Sequence, residues 1–162
     1  RMPETTYRKL VDLAVVMLKA VAECDRVHPY ERLVDDKAAF LNLFRQERPL
    51  RKDSMIHGWT ISRTATPAEM SAFAKIQRTY SLTLRGIYKV VDSDETERTF
   101  QDIIERVMDT FDAETDMAGE AMLYGVGPAQ LIVFEARTFG STLCHYCEIM
   151  VPIAVQRSVS YG

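Results

Sequence analysis

A chain of 162 residues with 47% hydrophobic and 27% charged side chains has the composition of an ordinary globular fold and is long enough to bury a core within one domain, residues 1–162. A formal net charge of −3 supplies no attraction for nucleic acid or an anionic membrane as main partner. The longest apolar-leaning stretch, residues 10–22, is broken by Asp12 and Lys19 and is too short to cross a bilayer; with no legible secretory leader and only three cysteines, the expected setting is reducing cytoplasm.

The first expected element is a helix over residues 5–24. Tyr7, Leu10, Val11, Ala14, Met17, Leu18 and Val21 recur at helical spacing, and Thr5 or Thr6 can cap its start. Pro29 takes the chain off any helical path. A shorter helix is expected over residues 35–46, with Asp35 or Asp36 as cap and Phe40, Leu43 and Phe44 as its apolar face.

Strand signals follow. Met55, Trp59 and Ile61 fall on alternate positions of residues 55–63. Residues 64–75 carry a Thr-Pro step and no period, and read as a long loop. From Tyr80, the side chains of Tyr80, Leu82, Leu84, Tyr88 and Val90 point one way, and those of Ser81, Thr83, Arg85 and Lys89 the other. Gly86 interrupts the apolar face, as at a bulge or under a closely packed helix.

A helix then starts with Asp94 and Glu97 as a capping pair, within an acidic cluster suited to the positive end of a helix dipole. Phe100, Ile103, Ile104, Val107, Met108 and Phe111 share one of its faces. After a mobile-looking stretch, residues 114–127, two strands are expected over 131–137 and 143–155, joined as a hairpin by Gly140-Ser141. Pro152 favours an edge position for its part of the second strand. The sum is an α+β fold: an antiparallel β-sheet of about four strands with two amphipathic α-helices packed on one face.

Chemistry-bearing motifs are few. Cys144-His145-Tyr146-Cys147 has a zinc or redox spacing, but residues three apart on a strand point to opposite faces, and no second ligand pair stands at a workable distance in the chain. His28, His57 and His145 lack the context of a nucleophile site around Ser54 or Cys147. The acidic run 92–97 lacks the glycine and terminal glutamate of a calcium loop. Gly125-Val126-Gly127-Pro128 precedes a strand, where phosphate-cradling loops follow one. No catalytic, cofactor or metal residue is therefore expected, and the chain reads as a non-enzyme. Arg63, Arg78, Arg85 and Arg137 lie on or beside strands and are the candidate residues for an interface with another subunit. The second sheet face that Arg85 occupies, rich in Arg, Lys, Thr and Tyr, is either solvated or covered by another subunit.

Several stretches are similar to small neck and tail proteins of tailed bacteriophages. They are Arg26-Val27-His28-Pro29-Tyr30-Glu31-Arg32 with the Phe-Leu-Asn-Leu-Phe helix after it, His57-Gly58-Trp59-Thr60-Ile61-Ser62-Arg63, Tyr80-Ser81-Leu82-Thr83-Leu84-Arg85-Gly86-Ile87-Tyr88 running into the Phe100 helix, and Phe139-Gly140-Ser141-Thr142-Leu143-Cys144-His145. The pattern resembles the tail terminator family. That resemblance implies a hexameric ring that caps the tail tube, stops its polymerisation and faces the head connector. It implies a virion location after assembly in the host cytoplasm, tail tube and neck proteins as partners, and DNA passing through the ring without specific binding. The family offers no catalytic residues to carry over. Residues 64–75 and 114–127 are the expected contact segments. Another neck protein, such as a head-completion or adaptor subunit, and a small-molecule-binding or enzymatic α+β domain are the alternatives.

Overall fold

A computed structural model describes residues 4–32, 37–45, 56–119 and 125–159. In helix α1 (Thr6–Val21) the Thr5 hydroxyl accepts the Arg8 N–H at 3.3 Å, a cap worth about 1 kcal/mol. Its stripe of Leu10, Val11, Ala14 and Leu18 is buried. Helix α3 (Thr96–Ala113) buries Phe100, Ile103, Ile104, Val107 and Phe111, each large side chain contributing about 1.5–3 kcal/mol. Both helices pack on one face of the sheet, over Trp59, Ile61, Leu82, Leu84, Ile149, Val151 and Ile153.

The start of α3 differs from expectation. Asp92–Asp94 forms a 3₁₀ turn, and the cap residue is Glu95, in the left-handed region, whose side chain makes no capping bond. The Thr96 hydroxyl instead accepts the Val91 N–H at 3.0 Å, while Glu97 keeps a negative charge in the first turn.

The α+β class is borne out, with more strands than about four. Among the described residues the sheet has six: β1 (Val27–His28), β2 (His57–Ala65), β3 (Ala68–Ala72), β4 (Lys75–Lys89), β5 (Gln130–Phe139) and β6 (Thr142–Ser158), in the order β1-β2-β4-β6-β5 with β3 also on β4. The two extra strands have plain causes. β1 is a two-residue parallel pairing against Trp59 and Thr60, too short to carry a pattern. β3 lies in the segment read as a loop. It continues β2 along the same edge of β4 past a break at Thr66-Pro67, where the Pro67 carbonyl accepts the Thr79 N–H at 3.0 Å, and turns at Phe73-Ala74. β4 accordingly starts at Lys75 rather than Tyr80.

The hairpin of β5 and β6 turns at Gly140-Ser141, as the sequence indicates. Pro152 sits beyond the end of β5, where its missing N–H faces residues 125–127 and its carbonyl accepts the Gly127 N–H at 2.9 Å. Gly86 marks neither a bulge nor a helix contact: register is continuous there, and the Trp59 indole of the paired strand lies across it.

Helix α2 (Lys37–Phe44) is the larger correction, because it packs on the opposite face from α1 and α3. Phe40 and Phe44 join Ile56, Ile87, Cys144 and Tyr146 in a second buried cluster. Gly58 admits this, since the Phe44 ring occupies the space its Cβ would need. Residues 57–61 are consequently buried on both sides. The cap positions Asp35 and Asp36, the end at Gln46, and Met55 lie outside the described residues.

Strand length decides where the sheet stops being covered. β4 and β6, 15 and 17 residues, run about 50 Å and 55 Å, whereas α1 and α3 are about 24 Å and 27 Å. Burial ends at Tyr80 and Val155. Beyond them β3, residues 75–79 of β4 and residues 156–158 of β6 form a three-stranded arm held by its ladder.

Candidate functional site

The four arginines are divided between the two faces. Arg63 stands on the helical side, its guanidinium 4.2 Å from the Tyr7 ring, which stacks on Tyr80 at 6.3 Å. Arg78 lies half-buried in the arm, across from Ala68 and Val155. Arg85 and Arg137 share the opposite face. The Arg85 Nε donates to Glu148 Oε1 at 3.0 Å and its Nη1 to Ser62 Oγ at 2.6 Å. Arg137 donates to Glu135 and lies 4.0 Å over the Tyr146 ring. Burial, then the Glu148 charge, pushes the Tyr146 hydroxyl up. Each of these two cations is matched by a carboxylate of the same face, and Lys89, across from Cys144, adds a further positive charge there.

The histidines serve packing. His57, buried, accepts the Trp59 Nε1–H at 2.9 Å and meets Tyr88 edge-on. His145 bonds the Thr96 hydroxyl at 2.9 Å and stacks on Phe100 and Phe134. His28 bonds the Leu43 carbonyl at 3.1 Å and meets Phe44 edge-on, tying β1 to α2. Burial holds His28 and His145 below the usual histidine pKa. The neutral ring suits these bonds, because a protonated one would add charge to apolar clusters.

Cys144 belongs to the α2-side cluster and Cys147 to the helical-side core, so the two thiols lie on opposite faces. Burial pushes Cys144 up to about 11 and Cys147 higher still, which removes thiolate character from both. Among the described residues no group of three or more His, Cys, Asp or Glu is placed to hold a metal ion, and no helix is long and apolar enough to cross a membrane.

What sequence reading missed is the arm. Phe73 at its tip is 93% exposed and Met70 beside it 59%. The only sequence signal is an isolated Phe between alanines and a Lys, which alternation does not detect. The other expected contact segment is partly anchored: after α3 the Glu114 carboxylate accepts the N–H groups of Thr115, Asp116 and Met117, and Met117 is buried in the core. Asp112 reaches across to the Ala129 N–H at 2.7 Å. No sequence model of a protein family matches the chain, and no curated protein is detectably similar to it.

Proposed function

We propose that this chain is a structural subunit at the head–tail junction of a tailed phage, assembling with further copies into a hexameric ring that caps the tail tube, stops its polymerisation and meets the head connector. The observation that carries this reading is the arm. A three-stranded projection without a core of its own, ending in an exposed aromatic and an exposed methionine, is an arrangement suited to gripping a neighbour, since Phe, Met and Arg are enriched where protein surfaces meet. The groups able to do chemistry support it from the other side. The histidines hold neutral internal bonds, the strand thiols carry little thiolate, and Arg85 and Arg137 are matched by Glu148 and Glu135. The segments similar to terminator proteins also fall on framework elements of this fold: β2, β4 leading to α3, and the β5–β6 hairpin.

Mass photometry and negative-stain imaging of the purified chain, alone and mixed with assembled tail tubes, test the reading. Closed rings, free or seated on tube ends, are expected. A protein that stays monomeric in solution and leaves the tube ends bare would refute it.

A further inference from the structure

The chain presents a projecting knob and, on a separate surface, a hollow of matching character. The knob is the arm tip, with Phe73 almost fully exposed and Met70 beside it. The hollow lies on the outer surface of the helical layer, where the C-terminal halves of α1 and α3 meet. It is an open groove of about 450 Å³ lined by Met17, Ala20, Val21, Thr110, Ala113 and Glu114. Ala20 and Ala113 are small and exposed, and the half-buried Met17 and Val21 add apolar surface. Phe73 does not fill the groove of its own chain, because it is 93% exposed.

Charge runs in the same direction as shape. The arm carries Lys75, Arg78 and Arg157 against Glu69 and is net positive. At the α3 end of the groove Asp109, Asp112, Glu114 and Asp116 outnumber Lys19 in the last turn of α1, and Asp112 and Glu114 also accept backbone N–H groups there. The negative end of the α3 dipole adds to that field. A basic, aromatic-tipped arm and an acidic-rimmed apolar groove are complementary in polarity, charge and size.

We infer that the arm of one copy seats Phe73 and Met70 in the α1–α3 groove of the next copy, with Lys75 facing the acidic rim. This rests on the ring reading above and names the two surfaces that would build the ring. Knob and groove are different patches of one chain, so the contact is head-to-tail; such a contact builds a ring where its rotation closes and a filament where it does not, whereas a self-matching patch stops at a dimer. A phenyl side chain buries about 150–250 Å² when enclosed, the size of an anchor residue.

Cross-linking between two single variants tests this. Ala72→Cys, next to the tip, and Ala113→Cys alter exposed positions and leave Phe73 and Met70 in place, and the native thiols Cys24, Cys144 and Cys147 are all buried. A short bismaleimide added to an equal mixture of the two variants is expected to give a covalent dimer, and neither variant alone should give one. The double variant on one chain should give a ladder that ends at the closed ring. Rings seen by mass photometry without the mixed dimer overturn this contact and leave the ring reading standing. Cross-linking of Ala72→Cys with itself overturns the head-to-tail geometry. Strict monomers with no cross-link, both alone and with assembled tail tubes whose ends stay bare, overturn both.

Discussion

Replacing Gly86 by alanine places one methyl group beneath the only tryptophan of the chain. Its Cβ would lie 2.7, 2.7 and 2.8 Å from three atoms of the Trp59 ring, about 1 Å inside ordinary carbon–carbon contact. The indole has little room to retreat: Trp59 is fully buried, donates to His57 at 2.9 Å and packs on Phe100 at 5.9 Å. Overpacking of this kind costs about 1–3 kcal/mol. Stretching the Trp59–His57 bond adds about 1 kcal/mol, and the reduced freedom of the unfolded chain returns about 0.4–1 kcal/mol. The net expectation is a loss of about 2 kcal/mol, equivalent to a drop in Tm of about 4–8 °C for a chain of this size. Urea unfolding followed by Trp59 fluorescence reads it directly, as a lower midpoint with an unchanged slope. A change within about 0.5 kcal/mol, the range of an inconsequential surface substitution, would show that the indole does not depend on the missing side chain.

Burial lowers the pKa of His28 and His145 from 6.5, so the unfolded chain takes up their protons first as the pH falls. Their contribution to stability is therefore complete above pH 6.5 and is lost as the pH drops through that value toward the folded-state pKa values; urea midpoints at pH 7.5 and 5 should diverge less in the His28→Gln/His145→Gln double variant, and an undiminished gap counts against the assignment. Native protein at pH 8 should leave Cys144 and Cys147 unlabelled by a thiol reagent over minutes and label them fully once unfolded; rapid native labelling of either would contradict the burial described. Arg85→Ala should lose about 1–2 kcal/mol, because the residue is mostly buried and bonded to both Glu148 and Ser62. In a double-mutant cycle with Glu148→Gln the coupling should be about 1 kcal/mol, and additive losses would mean that the pair contributes nothing as a pair.

The parts of this fold that sequence periodicity reveals are those with a core to imprint a pattern. Helices α1 and α3 and the stretch of β4 from Tyr80 each bury one face, and the repeat of apolar side chains follows. The arm has no such face, so Ala68–Ala72 and residues 75–79 carry no alternation; backbone pairing alone makes them strands, and Pro67 disguises the continuity of β2 into β3. Helix α2 was legible as a helix, but its stripe of Phe40 and Phe44 does not say which side of the sheet it covers. Gly58 holds that information, since a glycine on the face opposite Trp59 makes space for a ring, yet it becomes readable only once Phe44 is known to lie over it. The same holds for the candidate interface. The arginines were visible as charges on strands, and Glu135 stands two residues from Arg137 on the same strand, but the carboxylate that matches Arg85 comes from β6, and only the folded register brings that pair together.

Residues 57–61 of β2 form a seam between two apolar clusters, with Trp59 and Ile61 in one and the Gly58–Phe44 contact in the other. The clusters share a strand, so neither can melt without exposing the reverse side of the other. Body and α2 should therefore unfold as one cooperative unit, with calorimetric and van't Hoff enthalpies in agreement. The arm stands outside that unit, and its amides should exchange with solvent by local opening long before the seam lets go.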